Sequence, residues 1–248
     1  LGFGQVYKKI EESMGAKIIT VDADQSKNPD FVEITTAIEA HPQFDTAHIC
    51  TPNRTHFALA KKLSGHSKIV FIEKPGVQNV AQWTALTHDK KTKYVMTKNN
   101  QYRDNIGEMA NLGHKMSNIE LNWKNNNRIP SPGSWFTNKH LAFGGVSRDL
   151  LPHMLSLLIV LSPTDYALYN VIDKKVEQRY RLEDCTDTDY GKVKEDGIYD
   201  VDDNVYLKLV GPNNVIKINT AWRTDEDDDI AVHLSLIHIS EPTRLRRI

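Results

Sequence analysis

The sequence predicts an α/β fold in two parts. A parallel sheet wound with helices comes first, followed by an α+β domain with an open, mainly antiparallel sheet. Three observations predict it. Short apolar runs alternate with helical stretches through roughly the first hundred residues. A glycine turn, Gly2-x-Gly4, opens the chain. Beyond about residue 102 the rhythm changes to longer strands with alternating polarity. Short apolar runs joined by helices mean parallel strands covered on both faces, whereas alternating strands mean a sheet with one face packed and the other solvated.

The first part reads as helices over 6–14, 31–40, 55–63 and 80–87, alternating with strands over 17–22, 46–51, 68–72 and 94–97. In the second part, 119–124, 166–173, 201–210 and 214–222 read as strands, with Gly211-Pro212-Asn213 as a hairpin turn. An apolar helix over 150–161 stands among them. The boundaries expected are 1–102 for the first domain and 103–234 for the second.

Gly2-x-Gly4 stands ahead of an amphipathic helical pattern, and Asp22 closes the run Ile18-Ile19-Thr20-Val21 twenty residues after Gly2. A dinucleotide fingerprint has this order: glycines let the backbone approach a pyrophosphate at a helix start, and an acid after the second strand grips the ribose. Tyr7 occupies the third glycine position, a departure that bears on how closely helix and strand can pack. Two further stretches carry chemistry. Glu73-Lys74-Pro75 follows the apolar run Ile69-Val70-Phe71-Ile72, at the strand end where open α/β sheets bind ligands. Asp149 and His153, just after Gly144-Gly145, are four residues apart and would share one face of a helix. Lysine, aspartate and histidine in one pocket can take a proton from a hydroxyl group. Taken singly, each has a plainer role: Lys74 as a solvated lysine before a turn, Asp149 as a helix cap helped by Pro152, His153 as a buried core histidine.

With these residues in place, the chain resembles the glucose-fructose oxidoreductase / inositol dehydrogenase / MocA-like family of nicotinamide-dependent oxidoreductases. The similar segments are LGFGQVY, IITVDAD, ICTPNRTHFALAKKL, FIEKP and GGVSRDLLPH, in the family's order over most of residues 1–160. The resemblance implies a Rossmann-type doubly wound domain and oxidation or reduction at a hydroxyl carbon of a sugar, polyol or related cyclic compound. It implies NAD as cofactor, with NADP admitted because Lys27 lies near Asp22. Catalytic roles fall to Lys74, Asp149 and His153. Cofactor contacts fall to Gly2, Gly4, Gln5, Val6, Asp22, Thr51, Pro52, Asn53, His56, Glu73 and Lys74. A homo-oligomer formed through the second-domain sheet is implied as well. Some relatives of this fold act as sensors or co-regulators without turnover, and the joint presence of Lys74, Asp149 and His153 argues for an enzyme.

Other features set limits. A net charge of −1 with no basic stripe points away from nucleic acid. No run approaches the roughly eighteen apolar residues of a membrane span. Cys50 and Cys185 have no metal or redox spacing and read as reduced thiols, the ten histidines are scattered, and no metal site is expected. The run 225–229 reads as a solvated acidic loop, and Asp200, Asp202 and Asp203 as the flank of a strand. Trp135 fits either the core or a wall near the nicotinamide, and Tyr102-Arg103 fits either a polar substrate or a helix start. The cytosol is the default location. Only Leu1 precedes Gly2, where a Rossmann unit has its first strand, so the chain reads as a fragment of a longer frame and as marginally stable alone. Residues 235–248 read as a non-native tail.

Overall fold

The computed structural model describes residues 3–102, 106–113, 116–224 and 229–235. Two compact units divide between Thr97 and Lys98. The first contains α1 (Gly4–Ser13), α2 (Ile34–Ala40), β1 (Phe44–Ile49), α3 (His56–Lys62), β2 (Ser67–Ile72), α4 (Val80–Thr87) and β3 (Lys93–Met96). Its strands form a parallel sheet of order β1-β2-β3, with Thr46 opposite Ile69 and Ile69 opposite Lys93. β2 is central and apolar throughout its inner positions, so Val70 and Ile72 are fully buried with Ile49, Ala60, Leu63 and Leu86. Parallel strands covered by crossover helices make this the Rossmann-type α/β unit that the alternation predicts.

One expected strand is absent. Residues 17–22 form no ladder; their one bridge pairs Val21 with Phe31. Asp22 N donates to Phe31 O, Phe31 N donates to Thr20 O, and the Asp30 carboxylate accepts from Thr20 N at 2.7 Å. The backbone groups of 20–22 are thus taken by the following turn instead of by a strand partner. The same bridge holds Phe31 extended, which is why α2 begins at Ile34 and not at 31.

The second unit contains α5 (Ile106–Gly113), β4 (Asn118–Lys124), α6 (Lys139–Ala142), α7 (Val146–Asp149), α8 (Leu151–Leu161), β5 (Asn170–Glu177), β6 (Asn204–Val210), β7 (Val215–Ala221) and β8 (Asp229–Ser235). The sheet order is β5-β6-β7-β4-β8, antiparallel except for the β4–β7 pair, in which Asn118 lies opposite Val215. Strand periodicity sorts the side chains of β4: Ile119 and Leu121 pack under α8, against Met154, Leu157, Leu158 and Leu161. The alternate positions are polar, and Asn219 Nδ2 donates to Asn122 Oδ1 and Glu120 Oε1.

Two strands start later than expected, β5 at Asn170, from where it runs on to Glu177, and β6 at Asn204. Tyr166–Leu168 is a 3₁₀ turn, because Ser162 O at the end of α8 accepts from Asp165 N and Tyr166 N. Asp202 and Asp203 lie outside β6, with their carboxylates taken by Gly145, Ser147, Arg179 and Tyr180. The 211–213 turn stands as expected, closed by Gly211 N donating to Asn214 O. The run 225–228 and the tail 236–248 lie outside the described residues, and Asp229 begins β8. Among the described residues no single helix is long and apolar enough to cross a membrane.

Leu121 has no exposed surface. Leu121→Ala should therefore lower unfolding stability by about 2–5 kcal/mol, the usual cost of emptying such a site, and urea denaturation followed by far-UV circular dichroism would measure it.

Candidate functional site

The expected site residues fall in both units. In the first unit α1 starts at Gly4, with Gln5 and Val6 in its first turn; Gly2 lies outside the described residues. No side chain caps this helix start and no acid stands in its first turn. Amides at a helix start left to an outside acceptor suit a phosphate group.

Tyr7, in the third glycine position, closes the space between helix and sheet instead of clashing there. Its ring stacks on His48 at 4.5 Å, and His48 stacks on Phe71 at 4.8 Å. Its hydroxyl donates to Glu73 Oε1 at 2.6 Å, and Thr97 Oγ1 donates to the same oxygen at 2.7 Å. Burial, then Glu73, pushes the phenol pKa up. Glu73 thus has an internal role in this structure, linking α1 to the ends of β2 and β3. The neighbouring Cys50 thiol is pushed up to about 12 by burial and then by Glu73, which leaves it unreactive.

Asp22 ends the extended segment as expected, and Lys27 Nζ pairs with it at 3.2 Å. Burial acts to raise its pKa, but hydrogen bonds from Asp24 N and Lys27 outweigh this and hold it below the usual carboxylate value. An ionised acid partly matched by a lysine is what the sequence suggested for this end of a dinucleotide, and with the uncapped α1 amides it makes a donor and acceptor set that fits one.

Thr51, Pro52 and Asn53 form the turn between β1 and α3. Thr51 and Thr55 share a hydroxyl hydrogen bond of 2.6 Å, and Pro52 O accepts from Thr55 N and Oγ1. Asn53 is buried. His56 has no exposed surface, and its ring nitrogens lie 2.8 Å from Gly76 O and Thr51 O. Burial pushes its pKa down, against the two carbonyls. His56, expected among the cofactor contacts, is thus enclosed with its ring nitrogens facing the backbone carbonyls of the Thr51 and Gly76 turns. Lys74 lies in that second turn, at the carboxyl end of the central strand, where the sequence placed it. Its peptide bond to Pro75 is cis, and Gly76 N donates to Glu73 O to close the turn.

In the second unit Asp149 and His153 do not ride one helix. α7 ends at Asp149, α8 begins at Leu151, and the two helical segments on either side of Leu150 are bent by 41°. Pro152 explains the break. It has no N–H for the Arg148 carbonyl, and its ring would clash there, so the helix restarts with Pro152 in its first turn. Asp149 also does not cap α8, whose N-cap position is Leu150. Its Oδ2 instead accepts from the indole Nε1 of Trp222 at 2.8 Å. His153 is buried in α8, with its ring 5.4 Å from that of Trp123.

α7 is a single turn, and the group that caps it comes from far along the chain. Asp202 accepts from Gly145 N at 3.1 Å, Ser147 N at 2.6 Å and Ser147 Oγ at 2.8 Å, while its carbonyl accepts from Val146 N. This contact accounts for the second glycine: a Cβ on Gly145 would lie 1.9 Å from Asp202 O. Its neighbours also serve as acceptors. Asp200 Oδ1 accepts from Lys139 N, and the buried Asp203 carboxylate accepts from Arg179 N, Tyr180 N and the Tyr199 hydroxyl.

The contacts of Asp202 and Trp222 with the two ends of α7 were not legible in the sequence. The Gly-Gly pair signals a close backbone approach, but nothing local names a partner more than fifty residues away. Trp135 stacks on Phe136 at 3.8 Å. Tyr102 is exposed in a 3₁₀ turn, and Arg103 lies outside the described residues.

Residues 8–100 match the model of an oxidoreductase family with an NAD-binding Rossmann fold, the Gfo/Idh/MocA family. A curated relative, a putative UDP-kanosamine synthase oxidoreductase subunit from Amycolatopsis mediterranei (strain S699), is 28% identical over 157 residues, covering 58% of this chain and 44% of that protein. Among solved structures, the WlbA dehydrogenase from Chromobacterium violaceum, in complex with NADH and UDP-GlcNAcA, superposes with a TM-score of 0.73 at 13% identity, over 94% of this chain and 68% of that one. Levoglucosan dehydrogenase in complex with NADH and levoglucosan superposes with a TM-score of 0.64 at 16% identity, over 82% and 55%. The chain thus spans less than half the length of the curated relative, and at these identities the structures bear on the fold.

Gly145→Ala should force Asp202 O away from α7 and cost about 1–3 kcal/mol, the usual range for overpacking a tight site. Chemical denaturation of the variant beside Asp202→Ala, which loses the same caps without the clash, would measure it.

Proposed function

We propose, from the match of residues 8–100 to an oxidoreductase family with an NAD-binding Rossmann fold, that the chain is a member of that family and moves a hydride between NAD and a hydroxyl-bearing carbon of a sugar, polyol or related cyclic substrate. The observation that carries this reading is the pinned Asp149. A four-residue helix capped from outside at one end and gripped through its last side chain at the other is an expensive way to place a carboxylate, and a surface acid needs none of it. The sugar-related names of its relatives and fold neighbours support the substrate class.

Gly4, Gln5, Val6, Asp22, Pro52 and Asn53 hold the cofactor in this reading, with Gly2 alongside them. Bound NAD supplies the carbon that takes up the hydride. His153 accepts the proton of the substrate hydroxyl as general base. Asp149 orients the imidazole and balances its charge. Lys74 donates a hydrogen bond to the substrate oxygen as negative charge grows there. Glu73, Thr51 and His56 act behind these residues by fixing the turns on which they stand. Asp22 favours the free ribose hydroxyls of NAD over a 2′-phosphate, and its pairing with Lys27 softens that preference. Exposed Val171, Ile172 and Val176 on β5 support a homo-oligomer formed through the second-unit sheet.

Absorbance of reduced nicotinamide during incubation with NAD and a sugar panel tests turnover. His153→Ala should lower the rate of hydride transfer by roughly a hundred to ten-thousandfold with NAD affinity unchanged. Lys74→Ala should lower it and weaken substrate binding too. Undiminished turnover in His153→Ala would remove histidine from the mechanism. In a separate titration, Asp22→Ser should narrow the gap between NAD and NADP affinities; tighter NADP binding by the unaltered protein would overturn the role given to Asp22.

A further inference from the structure

Trp222 follows β7 and is held on every side. Its backbone N–H donates to Asp203 O and its carbonyl accepts from Arg128 N. Its side chain is 1% exposed, packed with Ile129, Val146, Leu150, Val201 and Val205. An indole ring fixed this firmly can aim its one polar group in one direction only, and that group points at Asp149 Oδ2.

Two properties of the contact go beyond packing. An indole N–H donates and never accepts, so the oxygen facing it must present a lone pair. A hydrogen bond to an ionised acceptor is also stronger and more directional than one between neutral groups. The helix bearing Asp149 cannot supply this order itself, since a single turn is short of the length at which helices become self-supporting. Asp202 fixes where that turn starts. The indole holds the carboxylate at its end.

We propose that Trp222 is a positioning residue of the reaction: its indole N–H locks the Asp149 carboxylate as a hydrogen-bond acceptor in a single orientation. This rests on the dehydrogenase reading of Asp149 given above. The ring shape and the N–H are separable, because Trp222→Phe keeps an aromatic ring in the same pocket and removes only the donor and one ring's worth of volume.

The test is a double-mutant cycle of Trp222→Phe and Asp149→Asn, read by single-turnover hydride transfer alongside NAD affinity and substrate KM. Trp222→Phe should slow hydride transfer about tenfold, with NAD affinity and KM within about twofold of the unaltered protein, since neither ligand is asked to touch the indole. In the Asp149→Asn background, where the acceptor is neutral, the same change should have a clearly smaller effect. Equal slowing in both backgrounds, or no slowing in either, overturns the proposal. The Trp222 indole proton, followed by NMR, gives a second readout that needs no turnover and no stable phenylalanine variant. It should exchange slowly with solvent in the unaltered protein, and both shift and exchange faster in Asp149→Asn; a proton indifferent to that change overturns the proposal. A protein that binds NAD yet reduces or oxidises no member of the sugar panel overturns the dehydrogenase reading, and the indole proton then decides the Trp222–Asp149 contact by itself.

Discussion

The Asp202 carboxylate meets the amides of Gly145 and Ser147, and the segment from Gly145 to Asp149 is arranged around that contact. A helix start leaves amides without internal partners, and a short helix has few other bonds to offset them. Here the partner is supplied by the loop before β6. The approach is so close that residue 145 can carry no side chain, and the turn it caps is so short that the next residues must be held separately. Trp222, anchored to Asp203 through its backbone, does this at the other end. The first unit has a similar arrangement in other residues. Glu73 accepts from Tyr7 and Thr97, so one carboxylate joins the first helix to two strand ends beside Lys74. In both units an acid turned inward positions the short motif next to it.

The alternation of apolar runs made the fold class and most elements legible, because each parallel strand of the first unit buries its own run of side chains. Residues 17–22 show where that signal stops. Their sequence is as apolar as that of β1, but a strand exists only with a partner, and here the backbone of 20–22 is matched to 30–31. The position of Lys74 at a strand end was legible because the apolar run that forms β2 stops just before it. Contacts that join distant segments were not legible. Spacing put Asp149 and His153 on one helical face, and Pro152, present in the same short stretch, is the residue that prevents it. The proline was read as a helix-start signal without its consequence for the preceding turn, the loss of an acceptor's partner at Arg148. Tyr7 is the reverse case. It departs from the glycine pattern, and the structure accommodates it by stacking and by a hydrogen bond that glycine could not make.

The parallel pairing of β4 with β7 sets the order in which this chain can acquire its structure. The two strands lie side by side although Asn122 and Asn219, which bond across them, are 97 residues apart. The first unit pairs strands in the order in which they are made, so a growing chain can close that sheet as each strand emerges. The second unit cannot. Strand β4, which bears Ile119 and Leu121, waits without its β7 partner until nearly all of the remaining sheet has been synthesised. During that interval the apolar underside of α8 is the surface best placed to shelter these two side chains, which gives the helix bearing His153 the part of a folding scaffold.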